Sequence, residues 1–181
     1  MKISADTVEK AKNGNKEAFG QIYDSISTDL YKLALFNLGN TYDAEDVVSE
    51  TFVEAYKSIK SLRDLNSFKP WIMRILYIRC KRKVGEYIKD RANSDIEEFT
   101  DLCDENFNME KEVSEKSAVM SALDKVSFEE RQIVLLYVIQ GYTTKEISKI
   151  LNMPHGTISS KLHRTYAKLR KILTEREDLN E

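Results

Sequence analysis

The segment 127–173 constrains the fold most strongly, because its own residues divide it into three helices of unequal length with tight breaks between them. Two capping boxes mark the first two helix starts, since in such a box a serine or threonine oxygen and a glutamate three residues later each bind a backbone N–H group. The boxes are Ser127 with Glu130 and Thr143 with Glu146. Gly141 is expected to end the first helix, and the run 152–154 the second. This pattern predicts a helix-turn-helix with one helix in front of it.

The last of these helices has two different faces. The inward face is predicted to be apolar, with Pro154 in the first turn, and comprises Ile158, Leu162, Leu169 and Ile172. The outward face has hydroxyl and cationic side chains and no carboxylate before Glu175; it consists of Thr157, Ser159, Ser160, Lys161, His163, Arg164, Lys168, Arg170 and Lys171. A second helix of this kind fits the DNA major groove. The alternative is a basic, solvated helix face that binds nothing.

The sequence 146–173, EISKILNMPHGTISSKLHRTYAKLRKIL, resembles the carboxy-terminal promoter-recognition domain of the extracytoplasmic-function group of bacterial sigma factors. The usual wording there is close to EIA-x-x-L-x-x-P-x-GT-V-x-SRL-x-RA-x-x-x-LR. The resemblance implies that the last helix binds the −35 promoter element through Thr157, Ser159, Ser160, Lys161, His163, Arg164 and Lys168. Lys161 replaces the usual arginine, and Ser159 stands where a basic residue is common. Because lysine lacks the fork that binds guanine at two atoms, this departure bears on which bases are preferred.

Composition places the chain among globular helical proteins. Its 181 residues, 41% hydrophobic and 32% charged, suffice for two small cores. With only six glycines and two prolines, and few alternating β-branched runs, we predict an all-α fold. Two small helical domains, 1–92 and 117–181, are expected to be joined by a flexible acidic linker, 93–116, which has low hydrophobicity and no periodicity. No apolar run approaches membrane-spanning length and no signal core begins the chain, so a cytoplasmic protein is expected.

Charge is distributed unevenly along the chain, although the net charge is only −2. Basic residues crowd the segment 60–91 and appear again in the last helix, whereas 95–115 is strongly acidic. Two basic regions separated by an acidic linker suit a protein that contacts a polyanion at two places.

The amino-terminal part predicts three helices before the basic segment. A short helix at 6–12 ends at Asn13-Gly14, and Asn15 caps a long second helix that stops at Gly39. Asp43 is expected to open the third helix. The inward face of the second helix includes Phe19, Ile22, Tyr23, Ile26, Leu30, Leu33, Ala34 and Leu38, and that of the third Ala44, Val47, Val48, Thr51, Ala55, Tyr56 and Ile59.

The third helix, DAEDVVSETFVEAY at 43–56, carries an acidic outward face. Periodicity alone favours a merely solvated face. The wording, however, resembles the polymerase-docking helix of the same sigma group, where DAED-x-x-Q-E-x-F is typical. The resemblance implies that this helix binds the clamp coiled coil of the largest polymerase subunit through Asp46, Ser49, Glu50, Val53 and Glu54, with Ser49 in place of the glutamine.

The segment 67–90 begins SFKPWIMRILYIRCKR and combines aromatic with cationic side chains. Trp71, Ile72, Ile75 and Ile78 are predicted to pack inward, and Arg74, Tyr77, Lys81 and Arg82 to point outward. Rings beside cations suit an unpaired strand, because bases stack on rings and phosphates bind cations; for Trp71 itself a core position is favoured. The wording resembles the family's F-x-x-W-L-x-R-I, which implies binding of the −10 element by Arg63, Asn66, Phe68, Lys69, Arg74, Tyr77, Lys81 and Arg82. Ile78 and Arg82 replace a common asparagine and aspartate.

These resemblances cover nearly the whole chain and imply an alternative sigma factor that recruits core RNA polymerase, through its clamp coiled coil and flap, to promoter DNA. They also imply an anti-sigma factor, membrane-bound, that would hold the protein at the inner face of the membrane. A helix-turn-helix regulator that binds promoter DNA without the polymerase is the alternative; it would need a ligand pocket or phospho-acceptor domain, which 1–90 does not suggest.

The residues indicate recognition and no covalent chemistry. We find no nucleophile–base pair and no glycine-rich phosphate loop, and His155 and His163 lie far from any carboxylate cluster. No catalytic residue, metal site, cofactor or small-molecule substrate is therefore predicted. Cys80 and Cys103 are interpreted as two reduced thiols, since a metal site or redox pair would need further partners.

Overall fold

The structure, a computed structural model, describes the backbone of residues 3–93 and 112–177 and the side chains of 3–90 and 118–174. Within these ranges the chain is helical and contains no strand, so the predicted all-α class is confirmed. The α-helices are α1 (Ala5–Lys12), α2 (Lys16–Leu38), α3 (Thr41–Ser58), α4 (Phe68–Asn93), α5 (Glu112–Asp124), α6 (Phe128–Val138), α7 (Thr144–Leu151) and α8 (His155–Glu177). No helix in the described ranges is both long and apolar enough to cross a membrane.

The chain forms two compact units, Met1–Glu98 and Phe99–Glu181. We call them unit 1 and unit 2. Most of the predicted linker 93–116 lies outside the described residues. Helix α5 begins at Glu112, inside the predicted linker.

Side-chain caps define the helix starts in unit 1. Ser4, Asn15 and Asn40 each accept a hydrogen bond from a backbone N–H group in the first turn of α1, α2 and α3. Gly39 ends α2 in the left-handed conformation, with φ at 67°, as expected for a residue without a β-carbon. The predicted start of α3 at Asp43 is wrong by two residues, because Asn40 supplies the cap and α3 starts at Thr41.

Three helices, α2, α3 and α4, pack around the core of unit 1. Its innermost side chains recur every three or four residues along each helix, which places them on one face. They are Ile22, Ile26, Leu30 and Leu33 of α2, Ala44, Val47, Thr51 and Ala55 of α3, and Ile72, Leu76 and Cys80 of α4. Because the inward side chains of α3 are buried in this core, the orientation of its outward face is fixed.

The predicted inward positions of Tyr23 and Tyr56 are wrong, since each residue is 47% exposed. They lie at the edge of an aromatic cluster between α2 and α3, where ring centroids are 4.5 Å apart for Tyr23 and Phe52 and 5.0 Å for Phe19 and Tyr56. A tyrosine at the margin of a core buries its ring and keeps its hydroxyl in water, and the apolar periodicity does not distinguish this from full burial.

Helix α4 also differs from its predicted orientation. Tyr77, predicted to point outward, is buried at 9% exposure, whereas Ile78, predicted to pack inward, is 51% exposed. Because α4 packs against both α2 and α3, its buried stripe is broad and includes adjacent positions; it comprises Phe68, Ile72, Met73, Leu76, Tyr77 and Cys80. Burial raises the pKa of the Cys80 thiol to about 12, which makes it a poor nucleophile. Cys103 lies outside the described residues.

Unit 2 has the predicted helix-turn-helix with α6 in front of it. Both capping boxes are confirmed, at Ser127 and Thr143. Asn152, with φ at 54°, ends α7 and turns the chain toward α8. Pro154 precedes α8 and does not lie in its first turn; its carbonyl accepts a hydrogen bond from Ile158 N at 3.1 Å. The fully buried core includes Ile133, Leu136, Ile147, Ile150 and Ile158.

Candidate nucleic-acid and protein interfaces

The cationic face of α8 is presented to solvent by the buried side chains on its other side. Ile158 and Leu162 are buried, and Leu169 and Ile172 are half-buried. Of the seven residues predicted to bind DNA, Ser160, His163, Arg164 and Lys168 are exposed, and Thr157, Ser159 and Lys161 are half-buried. The Ser160 hydroxyl donates to the Thr157 carbonyl at 3.1 Å, and Arg164 Nε donates to the Ser160 carbonyl at 3.3 Å. This face offers hydroxyl donors early in the helix and cations later.

Lys161 differs from its neighbours on α8 because it faces another helix. Its Nζ lies 3.0 Å from Glu129 Oε2 of α6, and the Lys161 and Glu129 side chains are 25% and 37% exposed. The pair joins the second turn of α8 to the start of α6. Lys161 therefore has a structural partner in addition to any DNA contact.

Two side-chain hydrogen bonds that the sequence did not predict hold the turn between α7 and α8. Thr144 Oγ1 and His155 Nε2 lie 2.9 Å apart, so the first residue of α7 contacts the first residue of α8. The Ser148 hydroxyl donates to the Met153 carbonyl at 2.6 Å across the same turn. A histidine directly after a proline at a helix start is the signal that could have found this contact. The two hydrogen bonds fix the angle at which α8 leaves the turn.

The acidic face of α3 is formed by the five residues predicted to bind polymerase. Asp46, Ser49 and Val53 are exposed, whereas Glu50 and Glu54 are half-buried. Arg79 of α4 donates from Nη1 to Glu50 Oε2 at 3.1 Å and from Nη2 to Glu54 Oε2 at 3.3 Å. Arg82 donates from Nη2 to Glu50 Oε2 at 2.7 Å. The two glutamates are therefore engaged by α4 within unit 1.

A second cross-helix cluster fixes the start of α3. Lys83 Nζ lies 2.7 Å from Asp43 Oδ1, and the Tyr87 hydroxyl donates a short hydrogen bond to the same carboxylate. Partial burial works to raise the pKa of Asp43, but the hydrogen bonds from Lys83 and Tyr87 outweigh it and hold that pKa below its ordinary value. The pKa of Tyr87 is raised by its burial and by the carboxylate. This cluster joins the first turn of α3 to the second half of α4.

The eight residues predicted to bind the −10 strand do not form one surface. Arg63 and Asn66 are exposed in the loop before α4, where Asp64 accepts from Asn66 N at 3.0 Å. Lys69 and Arg74 are half-buried, and Lys81 is exposed, with its Nζ 5.9 Å from the centroid of the Tyr77 ring. Arg82 is turned toward α3 by Glu50.

The two predicted base-stacking rings need correction. Phe68 is 2% exposed and Tyr77 9% exposed, so both are core residues of unit 1. An aromatic ring beside cations does not by itself indicate a surface, because these two rings pack inward while neighbouring cations such as Lys81 reach solvent. Trp71 is half-buried against Phe68, with ring centroids 5.7 Å apart.

Among the residues that the structure describes, no group of three or more histidine, cysteine, aspartate or glutamate side chains could hold a metal ion.

Comparison with protein-family models places both units in one family. Residues 22–92 match sigma-70 region 2, and residues 116–169 match sigma-70 region 4, in that order along the chain. The chain belongs to the sigma-70 family. The first match covers most of unit 1, including α3 and nearly all of α4, and the second covers α6, α7 and α8 as far as residue 169.

Relatives identify the subgroup of this sigma factor. The ECF RNA polymerase sigma factor SigW of Bacillus subtilis is 29% identical over 180 residues, which cover 93% of this chain and 95% of SigW. The predicted membership of the extracytoplasmic-function group is thereby confirmed.

Two solved structures share the fold. CnrH, in complex with the cytosolic domain of CnrY, has a TM-score of 0.74 at 23% identity and covers 96% of this chain and 99% of CnrH. The sigma factor RpoE, in complex with the anti-sigma factor NepR from Bartonella quintana, has a TM-score of 0.67 at 22% identity and covers 86% and 96%. At this identity the two matches show the fold alone.

Proposed function

We propose that this sigma factor binds core RNA polymerase through the acidic face of α3 and directs it to promoters that α8 recognises at the −35 element. The observation that carries the proposal is the combination, in one chain, of a sigma-70 region 2 unit with an acidic helix and a region 4 unit with a cationic second helix that has no carboxylate before Glu175. A carboxylate face suits a cationic partner surface, and a cationic face suits DNA.

We propose that early and late residues of α8 contact different parts of the DNA. Residues in the first turns of a docked second helix meet base edges, and later residues meet phosphates. Thr157, Ser160 and Arg164 are proposed to contact bases. A side chain that makes two hydrogen bonds to one base disfavours the wrong base by about 1–3 kcal/mol. Lys168 lies one turn further along and suits a phosphate contact, which adds affinity without sequence preference.

In unit 1, we propose that polar and cationic side chains of the loop and of α4 bind the opened −10 strand. Arg63, Asn66, Lys69, Arg74 and Lys81 retain exposed or half-exposed side chains. The buried rings of Phe68 and Tyr77 are no longer part of the proposal. Contacts of this kind are dominated by phosphates and are therefore expected to weaken steeply with salt.

We further propose that the protein acts by recognition, without catalysis, a cofactor or a small-molecule substrate, and that it works in the cytoplasm. The structurally similar RpoE is bound to an anti-sigma factor in its own complex. By analogy, an anti-sigma factor, expected to be membrane-bound, would inhibit this chain and hold it at the inner face of the membrane. The polymerase flap is proposed as the protein partner of unit 2.

The proposal is tested by mixing the purified protein with core RNA polymerase and measuring both complex formation and transcription. A complex that persists through gel filtration in moderate salt, together with transcripts that start at defined promoters, is the expected result. Specific binding to duplex promoter DNA by the protein alone, without a complex with the polymerase, would support the helix-turn-helix regulator instead. Family membership disfavours that alternative.

A further inference from the structure

We propose that Arg79 is a positioning residue for polymerase docking, because its guanidinium bridges the two glutamates of the proposed docking face and holds them in one orientation. This inference rests on the proposed function of α3. Its starting point is geometric: Arg79 lies on α4, 29 residues from Glu50 and 25 residues from Glu54, yet it hydrogen-bonds to both.

The bridge uses the fork of the arginine side chain. Nη1 lies 3.1 Å from Glu50 and Nη2 lies 3.3 Å from Glu54, so the two nitrogens of one planar group contact carboxylates one helical turn apart. Without a cation between them, two carboxylates at this spacing on a helix repel each other. The bridge therefore replaces a repulsion with a fixed pair of acceptors.

Exposure shows that the bridge lies below the docking face and does not cover it. The Arg79 side chain is 23% exposed, while Glu50 and Glu54 are 33% and 43% exposed. An ionised carboxylate has about four acceptor sites on its two oxygens. On Glu54, the contact with Arg79 uses one oxygen, so the other can accept from a cation on the partner.

Arg82 has a different relation to the same face. It approaches Glu50 from the solvent side at 2.7 Å, is 53% exposed, and also lies 3.6 Å from Glu86. Its greater exposure gives it freedom to leave Glu50. Arg82 Nη2 contacts both oxygens of Glu50, but Arg82 does not reach Glu54. Arg79, in contrast, joins both glutamates of the docking face from a less exposed position, and this is why we assign the positioning role to Arg79.

Fixing two long acidic side chains before the partner arrives removes the entropy cost of ordering them on binding. We therefore expect Arg79→Gln to weaken binding to core polymerase by at least about fivefold, as measured by titrating a fluorescently labelled protein with core enzyme. Lys32→Gln is the matched control, since Lys32 is an exposed cation of unit 1 on α2, and it should leave the affinity unchanged.

A double-mutant cycle separates positioning from a general structural effect. When Glu50→Gln and Glu54→Gln are already present, Arg79→Gln should lose most of its effect, because no carboxylates remain to be positioned. If Arg79→Gln weakens binding by the same factor in both backgrounds, Arg79 only stabilises unit 1 and the inference is wrong. Equal affinity of Arg79→Gln and the unmodified protein would overturn it as well.

Arg79→Lys tests the bridge itself, since lysine keeps the charge but has no fork. We expect it to restore only part of the affinity, and full restoration would contradict the bridging geometry. If the unmodified protein does not bind core polymerase at all, the proposed function and this inference both fail. Binding of the unmodified protein, followed by any of the contrary results above, removes the inference alone.

Discussion

The two proposed interfaces obtain their geometry in different ways. In unit 2, the turn that leads into α8 is held mainly by contacts between residues close in sequence: the capping box at Thr143, the left-handed Asn152, and the contact of Thr144 with His155. The ion pair of Lys161 with Glu129 adds one contact between residues far apart in sequence. In unit 1, the acidic face of α3 is positioned by contacts from α4, as in the pairing of Arg79 with Glu50. Local contacts form with little loss of chain entropy, whereas distant contacts depend on a completed core. Changes in the core of unit 1 are therefore expected to affect docking more than local changes in unit 2 affect DNA binding.

The largest expected effect tests whether the units are energetically separate. Ile158→Ala removes a fully buried side chain of α8 and should lower the free energy of unfolding of unit 2 by about 2–5 kcal/mol. Trp71, the only tryptophan, lies in unit 1 and reports on the unfolding of that unit. In Ile158→Ala, the urea midpoint followed by Trp71 fluorescence should equal that of the unmodified protein, while the helical circular dichroism should show an additional transition at lower urea. Leu30→Ala in α2 is the counterpart that should shift the Trp71 signal. A shift of both signals by Ile158→Ala would contradict separate cores.

Glu50→Lys should have the next largest effect, because it places a cation between Arg79 and Arg82. Binding to core polymerase is expected to weaken by about 2–4 kcal/mol, because loss of one partner of a buried charge pair at an interface costs about 2–5 kcal/mol and Glu50 is only half-buried. Affinity of unit 2 for −35 DNA should stay the same. Unaltered polymerase affinity in a direct titration would discredit the assignment of α3.

Arg164→Ala examines the cationic face of α8. If Arg164 contacts a base, promoter binding by the holoenzyme should weaken by about 1–3 kcal/mol and discrimination at one position of the −35 element should relax. Lys125→Ala, which removes an exposed cation between α5 and α6, is the control. Unchanged promoter occupancy would remove Arg164 from the proposed site.

Thr143→Ala examines the local positioning of the helix-turn-helix. The Thr143 oxygen accepts from Glu146 N at 3.3 Å and the Glu146 carboxylate accepts from Thr143 N at 2.8 Å. Loss of this cap should cost about 1 kcal/mol of unit 2 stability, measured by thermal unfolding. Thr174→Ala, near the end of α8, should have a smaller effect, and equal effects would mean that the cap contributes nothing specific.

The smallest expected effect concerns the acid dependence of unit 1. The folded-state pKa of Asp43 is lowered, so its contribution to stability is present above its unfolded pKa, near the ordinary 3.8, and is lost as pH falls through the folded value. In Asp43→Asn, the part of the stability that is lost on acidification through Asp43 should be absent. At neutral pH the substitution should lower the free energy of unfolding by less than about 1 kcal/mol, as for a partly exposed ion pair. An unchanged slope of stability with pH below 4 would contradict the role of the Asp43 cluster.

The contrast between the two units also explains what could be predicted from the sequence. Caps and turns depend on residues within about four positions of one another, and for this reason the starts of α6 and α7 were predicted correctly. The predicted orientations of Tyr77 and Ile78 were wrong. Helix α4 packs against two helices, and periodicity does not give the width of its buried stripe. The contact of Arg79 with Glu50 has no local signal, since nothing in the sequence relates residues on separate helices before the core is known.

The central claim is that this chain acts as a sigma factor, and it is tested most directly by mapping transcript 5′ ends on genomic DNA transcribed by core polymerase with and without the protein. We predict new start sites that appear only when the protein is present and that share two sequence elements, one near −35 and one near −10. An identical set of start sites in both reactions would contradict the account.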